Sequence, residues 1–371
     1  MDIFVYGTLR SHVLMAAVSG DPVPNAMPAK LPGYQVFRVD GNVVPFIAPQ
    51  SDAIAQGLVF EGLNDQQMAR LDLYEGAFGY RLVDMVVDTE EGARPVHCYL
   101  PPVDVAPGVA AWSLEDWEAD HLAPAVLAAR ELFSYVPLLS FDAARKMWPM
   151  IEARAWSKHR AKAAPATRRY APGDGDFQIM GARPPQGRFF RFESVDVTHR
   201  QFTGETSAVL AREGFVGVDA AIVLPYDPRR DRVLLVEQAR MGPRLRNDPN
   251  PWMLEPIAGI VDARETPEAA ALRECREEGA IEIAHLEPAG AFYVSPGAST
   301  DYFYTYIGLC DLPQTEAYLG GLQNEAEDLK LHPMGFDEAM ALADSGEIAT
   351  GPALFLLYWL LRHKERLRTG P

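Results

Sequence analysis

Cysteine is scarce in this chain. Cys98, Cys275 and Cys310 stand far apart and are odd in number. That excludes a disulfide framework and any Cys/His spacing of a zinc site, and it fits a reducing compartment, so a cytoplasmic location is expected. Long apolar runs are missing too. The longest, residues 353–361, is about half of the ~20 residues needed to span a bilayer. It runs into Arg362, His363, Lys364, Glu365 and Arg366, so it reads as a buried closing helix with a cationic last turn, and no membrane partner is expected. The opening MDIFVYGTLR has a strand pattern and lacks the layout of an export signal. Positive charge is in deficit: 34 Lys and Arg against 51 Asp and Glu, a net charge of −17. Such a surface cannot displace counterions from a phosphate backbone, which excludes nucleic acid as a partner. A small anionic substrate remains compatible where a metal ion or local arginines offset the field.

What is present has the composition of a folded domain protein, over a length that suits two domains better than one core. Residues 1–103 are strand-rich, with β-like segments at 3–6, 58–61, 82–88 and 96–100 between Gly, Pro and Asn signals. One helix is expected there, over 65–73, capped by Asn64. From 112 to 164 apolar residues recur at helical spacing, as in Leu122, Val126, Leu127 and Ala129, then Phe133 and Val136. Residues 163–187, dense in Ala, Pro, Gly and Arg, read as a linker. Beyond 188, strands are expected over 189–198, 206–212, 220–224, 233–238, 289–294 and 302–310, and helices over 267–278, 336–344 and 352–366. The domains expected from this are 1–103, 104–187 and 188–371.

The segment 259–281 carries the chemistry. Thr266 is a good N-cap and Pro267 a good first helical residue. The helix then bears Glu274, Glu277 and Glu278, whose spacing puts them on one face. Three like charges crowded together destabilise a helix, and a hard divalent cation bound by their oxygens would remove that cost. Gly259 lets the backbone turn out of the strand-like residues 254–258, and Glu265 can pair with Arg273 to pin loop to helix.

The arrangement Gly259, Glu265, Arg273, Glu274, Cys275, Glu277, Glu278 and Ile281 resembles the signature box of the Nudix family, with Ala280 standing where the family has its late glycine. At about 5–7% usage per residue type, the six fixed Gly, Glu and Arg positions would recur by chance with probability on the order of 10⁻⁵, so a merely solvated acidic helix is set aside. The stretches LPYDPRRDRVLLVEQAR, PWMLEPIAG and VSPGAST, together with Pro296, resemble the ADP-ribose pyrophosphatases of that family. The resemblance implies Mg²⁺, or Mn²⁺ in its place, held by Glu274, Glu278 and the carbonyl of Ala258 with Glu277 adjacent. It implies a loop NEAED supplying Glu325 as catalytic base and Glu327 as a further ligand, and Arg212 and Arg240 gripping a diphosphate. Phe189 would stack on adenine across a homodimer interface, and the products would be AMP and ribose 5-phosphate.

FVYGTLR and the later LDLYEGAFGYRL resemble the gamma-glutamylcyclotransferase-like family. That resemblance implies a loop of Tyr6, Gly7, Thr8 and Leu9 presenting backbone groups to a gamma-glutamyl compound. Glu75, at the start of a loop just past the helix, would be the acid/base. The implied fold class is α/β (α+β): an N-terminal β-barrel with helices, a helical connector, and a C-terminal Nudix α/β/α sandwich with a mixed sheet. The pairing resembles bacterial fusions described by tellurite resistance, a phenotype that specifies no mechanism. Two other readings stay open. One is a Nudix hydrolase of another nucleoside diphosphate conjugate, with an N-terminal domain that binds without catalysis. The other is a sensor whose domains bind nucleotide or a glutathione-type ligand without turnover.

Overall fold

The computed structural model describes residues 1–20, 22–23, 25–38, 43–102, 110–161, 165–321 and 327–368. The chain divides into two units, Met1–Arg212 and Glu213–Pro371. The first begins with β1 (Ile3–Val5), a 3-10 turn (Thr8–Arg10) and α1 (His12–Ser19). There follow β2 (Ala26–Arg38), β3 (Pro45–Phe60), α2 (Asp65–Gly76), β4 (Arg81–Thr89) and β5 (Gly92–Leu100). The five strands close a barrel in the order β1-β3-β2-β4-β5, filled by Phe4, Leu31, Ile47, Val59 and Val87 among others. The helix expected at 65–73 forms with a reciprocal cap. Gln67 N–H donates to Asn64 Oδ1 at 2.9 Å and Asn64 N–H to Gln67 Oε1 at 3.0 Å.

Three local expectations fail here. α2 runs on to Gly76, because Tyr74 and Ala77 pack with Leu73 in one apolar cluster and hold the chain helical past residue 73. A second helix, α1, precedes it. Its sequence HVLMAAVS is apolar all round, so no period shows, yet Leu14, Met15 and Val18 are fully buried. The long β2 was not expected because Pro28, Pro32 and Gly33 read as turn signals. The strand absorbs them with a register shift between Pro32 and Tyr34, where Gly33 takes φ +77°.

The helical pair α3 (Leu114–Leu132) and α4 (Phe141–Arg160) follows, each capped by a serine. Asp116 N–H donates to Ser113 Oγ, and Ala143 N–H to Ser140 Oγ, both at 3.3 Å. Then come β6 (Phe177–Ala182), β7 (Arg191–His199) and β8 (Leu210–Val216), a three-stranded sheet in that order. β6 lies inside the stretch that composition marked as a linker. Pairing with β7 over Phe177–Ala182 orders a segment whose own sequence has little to bury.

The second unit contains β9 (Asp219–Asp227), β10 (Arg232–Ala239), α5 (Met241–Leu245), β11 (Trp252–Glu255), β12 (Ile257–Ile260) and α6 (Pro267–Glu277). After these come β13 (His285–Tyr293), β14 (Tyr302–Leu309), β15 (Tyr318–Gly320), β16 (Leu329–Gly335), α7 (Phe336–Ser345) and α8 (Gly351–Arg368). The eight-stranded sheet is mixed: β9 and β14 are parallel, and the other neighbours are antiparallel. Alternation along β9 explains the layering. Ala221 and Val223 pack toward Ala270, Ala271 and Cys275 of α6. Ile222 and Leu224 pack toward α7 and α8, where Ala353, Leu356, Leu357 and Leu360 of the late apolar run are buried. The expected barrel and α/β/α sandwich are both present. Among the described residues no helix is long and apolar enough to cross a membrane.

Candidate functional site

The glutamate helix begins as its sequence demands. Thr266 Oγ1 accepts from Ala269 N–H at 3.2 Å, with Pro267 as the first helical residue. Arg273 is its hub. The guanidinium takes Glu265 with two nitrogens, Nε to Oε1 at 3.1 Å and Nη2 to Oε2 at 2.9 Å. It also donates to the Ile260 carbonyl at 3.0 Å, to Glu274 at 2.5 Å and to Glu277 at 3.0 Å. The expected Glu265–Arg273 pin is therefore real, and it extends to strand β12 and two further carboxylates. Arg273 is held well above its ordinary pKa, chiefly by the Glu265 hydrogen bonds.

Glu274 passes over Gly259, where any β-carbon would overlap its carboxylate. A glycine there leaves room for that side chain; the turn expected at Gly259 does not form, since the residue lies within β12, paired with Ala221. Glu278, the cap residue, is only 3% exposed and accepts from Ala258 N–H at 3.4 Å. Burial pushes Glu274 up to about 7, the nearby Arg273 opposing and Glu277 and Glu327 reinforcing. Burial, then the charges of Glu274 and Glu327, push Glu278 up to about 8, with Ala258 N–H and Arg240 pulling the other way. So Glu327, from a distant segment, faces both α6 carboxylates, and Arg240 faces Glu278. Arg240 itself is held by Glu255, Nε to Oε2 at 2.6 Å.

This donor set is hard oxygen carrying more negative charge than its arginines offset, in a place too dry to solvate it. That is the chemistry a divalent cation fits. Among the described residues no three His, Cys, Asp or Glu side chains are closed on a common point. Arg273 occupies one Glu274 oxygen and both contacts of Glu265. Glu277, also drawn to Arg273, stands beside the cluster. Glu325 lies outside the described residues. Phe189 and Arg212 belong to the first unit, Arg212 as its last residue. Phe189 is exposed, stacks edge-on against Phe190 at 4.9 Å and offers its carbonyl to Arg154 Nη1 at 3.0 Å. Arg212 is exposed, its Nη1 donating to the adjacent Ala211 carbonyl at 2.9 Å. Glu255, the partner that aims Arg240, had no signal in the sequence, because its place opposite Val236 depends on the register of β10 and β11.

Ala280 resolves the one departure from the family box. It sits at φ +51° and closes the helix. Ala280 N–H donates to Arg276 O at 3.1 Å and Ile281 N–H to Cys275 O at 3.0 Å, the pattern of a left-handed C-terminal cap. The geometry of a glycine is kept by an alanine that pays in strain. We expect Ala280→Gly to stabilise the protein by about 0.5–1 kcal/mol, read as a rise of roughly 2–4 °C in thermal midpoint. A fall would refute the strained-cap explanation.

The first unit carries a second cluster. Tyr6 is buried and donates its hydroxyl to the Tyr99 carbonyl at 3.0 Å. Gly7 caps the 3-10 turn, its carbonyl accepting from Arg10 N–H at 3.1 Å; Thr8 opens that turn, and Leu9 is buried in the core. Glu75 lies in the last turn of α2 rather than in a loop past it, because that helix continues to Gly76. Burial pushes Glu75 up to about 7. Its charge is felt by Tyr6, Tyr80, Cys98 and Tyr99, which places it among them. Tyr99 hydroxyl donates to Asp72 of the same helix at 2.6 Å, and Tyr80 hydroxyl to the Pro45 carbonyl at 3.3 Å. The motif loop and the glutamate, far apart in sequence, therefore meet. A carboxyl titrating near neutrality can take up and return a proton.

A carboxyl whose folded pKa is raised binds a proton that the unfolded chain has lost, so its contribution to stability falls as pH rises from about 4.5 to 7. Glu75→Gln is expected to make the decline in thermal midpoint between pH 5 and 7 shallower than in the unaltered protein. Identical slopes by calorimetry would show that Glu75 is not held neutral.

Family models match residues 3–119 as gamma-glutamyl cyclotransferase, AIG2-like, and residues 217–349 as a NUDIX domain. The ADP-ribose pyrophosphatase of Haemophilus influenzae is 35% identical over 187 residues, 50% of this chain and 86% of that protein. The ADP-ribose pyrophosphatase of Escherichia coli K12 is 31% identical over 196 residues, 53% of this chain and 93% of that protein. A GDP-mannose pyrophosphatase of Enterobacter is 28% identical over 149 residues, 40% of this chain and 76% of that protein.

Proposed function

This chain belongs to the Nudix family, and from that premise we propose that it hydrolyses the pyrophosphate bond of ADP-ribose to AMP and ribose 5-phosphate with a divalent metal ion, Mg²⁺ or Mn²⁺. What supports this reading is the pair Glu274 and Glu278 at one helix end, both pushed up by burial and by the charge of Glu327, with Arg240 acting on Glu278 in the opposite sense. Glu274, Glu278, Glu327 and the backbone of Ala258 would hold the metal, with Glu277 beside them. When bound, such an ion neutralises diphosphate oxygens and acidifies a water. Arg240, fixed by Glu255, adds a charge-assisted contact to the diphosphate. In this reading Arg212 adds a second and Phe189 stacks on adenine. Water oxygen joins one phosphorus, the bridging oxygen leaves with the other, and a carboxylate, Glu325 in this proposal, takes the proton.

ADP-ribose is preferred to GDP-mannose because the relatives named for it are more similar to this chain and are covered more fully by it. Pure protein with Mg²⁺ should release AMP from ADP-ribose more efficiently than GMP from GDP-mannose. Turnover of GDP-mannose alone would replace the substrate and keep the reaction; turnover of neither would remove the hydrolase reading. For the first unit we propose a gamma-glutamyl compound at Tyr6 to Leu9 with Glu75 as acid/base. Release of 5-oxoproline from gamma-glutamyl amines and peptides, lost in Glu75→Gln, is the supporting result.

We further propose domain limits at 1–103, 104–187 and 188–371, a cytoplasmic site of action and a homodimer. Exposed Phe177, Ile179, Met180, Phe190 and Phe192 around β6 and β7 support the dimer, since apolar side chains so grouped favour a partner surface. A monomeric mass by light scattering at micromolar concentration would argue against it.

A further inference from the structure

The carboxylates of the second unit's site come from two separate segments. Glu274 and Glu278 ride on α6 and its cap, and Glu327 precedes β16. Something must set their separation. The end of α6 leaves carbonyls without intrahelical partners. Those of Cys275 and Arg276 are taken locally by Ile281 and Ala280, but those of Glu278 and Gly279 are taken from β15 and the residue after it. Tyr318 hydroxyl donates to Gly279 O at 3.2 Å, and Gly321 N–H donates to Glu278 O at 3.3 Å. Between them Gly320 passes so close that a β-carbon there would overlap the Glu278 carbonyl and the Leu331 side chain. On its far side Gly321, at φ +89°, packs on Glu327, where an added β-carbon would stand 3.0 Å from Glu327 Cβ and 3.1 Å from Glu327 O.

We propose that Tyr318, Gly320 and Gly321 form a clamp that fixes Glu327 against the end of α6, and so act as positioning residues for the divalent-cation site. The inference rests on the hydrolase reading and deepens it. None of the three supplies a ligand. Tyr318 is chemically separable from the core. Its ring packs against the α6-side core, whereas its hydroxyl reaches Gly279 beside a cavity of about 770 Å³ that both residues line. Removing the hydroxyl therefore exposes Gly279 O to water that can satisfy it, and breaks the tie without a large loss of stability.

The test uses the full chain with Mn²⁺ alone as the probe, followed by electron paramagnetic resonance and calorimetry. Tyr318→Phe is expected to weaken Mn²⁺ binding about 10-fold, and Gly320→Ala by up to about 100-fold, as for groups that orient metal ligands. The bound-Mn²⁺ line shape should change in both, while the metal-free thermal midpoint of Tyr318→Phe moves by no more than roughly 2–4 °C. Wild-type affinity and line shape in folded Tyr318→Phe would overturn the clamp and leave the hydrolase reading standing. An affinity loss with unchanged line shape that merely tracks lost stability would also overturn it. If the unaltered protein binds no Mn²⁺, the clamp and the metal-dependent reading fall together.

Discussion

Glu278→Gln is expected to lower ADP-ribose turnover by roughly 10³-fold, and to make the metal-free protein more resistant to heat at pH 8. The two effects share one cause. Glu278 is almost fully buried, accepts one long hydrogen bond from Ala258 and faces Glu274 and Glu327. As an anion it has no adequate counter-charge without a cation. Its pKa is pushed up to about 8, and that of Glu274 to about 7, from an ordinary 4.5. Between pH 4.5 and 8 the folded protein therefore holds protons that the unfolded chain releases, so metal-free stability declines as pH rises through this window. A metal ion competes with those protons and should reverse the trend, with proton release on binding. Glutamine removes the titration and leaves one ligand oxygen, which suits folding but not catalysis. Calorimetry at pH 5 and 8, with and without Mg²⁺, checks the first effect and AMP release the second. A metal-free midpoint that is flat across this range would sink the electrostatic account.

The second large effect concerns the helical pair of the first unit. Arg154 is fully buried and joins Glu131, itself 3% exposed, through Nε at 2.8 Å and Nη2 at 2.7 Å, while Nη1 donates to the Phe189 carbonyl. Removing one partner of a buried pair strands the other as an unsolvated charge, at a cost of about 3–5 kcal/mol. Arg154→Met should accordingly lower the first unit's thermal midpoint by roughly 10 °C. Replacing both residues by apolar ones of similar volume, Arg154→Met with Glu131→Leu, should recover most of that loss. Equal loss in the single and double variants would mean that packing, rather than a stranded carboxylate, sets the cost.

Much of the chemistry was legible because it is local. Thr266, Pro267, Arg273 and the glutamates of α6 lie within a few helical turns, where spacing alone dictates which side chains meet. The cap at Asn64 was legible for the same reason. The Tyr6 loop and Glu75 were each visible as motifs, but their meeting required the barrel to close. Where local signals misled, a tertiary contact had overruled them. β2 tolerates two prolines because β3 pairs along almost its whole length. α1 is helical although its apolar residues show no period, because the core covers it.

The sequence by itself determined that residues 259–281 make a carboxylate-bearing helix on a strand, since capping, proline placement and residue spacing act over a few residues. Only the tertiary structure decided that Glu327 faces that helix, that Glu255 aims Arg240, that Tyr318 reaches Gly279 and that Ala280 carries a glycine's backbone conformation. Each of these depends on strand register, chain crossing or burial. Those properties arise from packing segments remote in the chain, and residue order along one segment does not encode them.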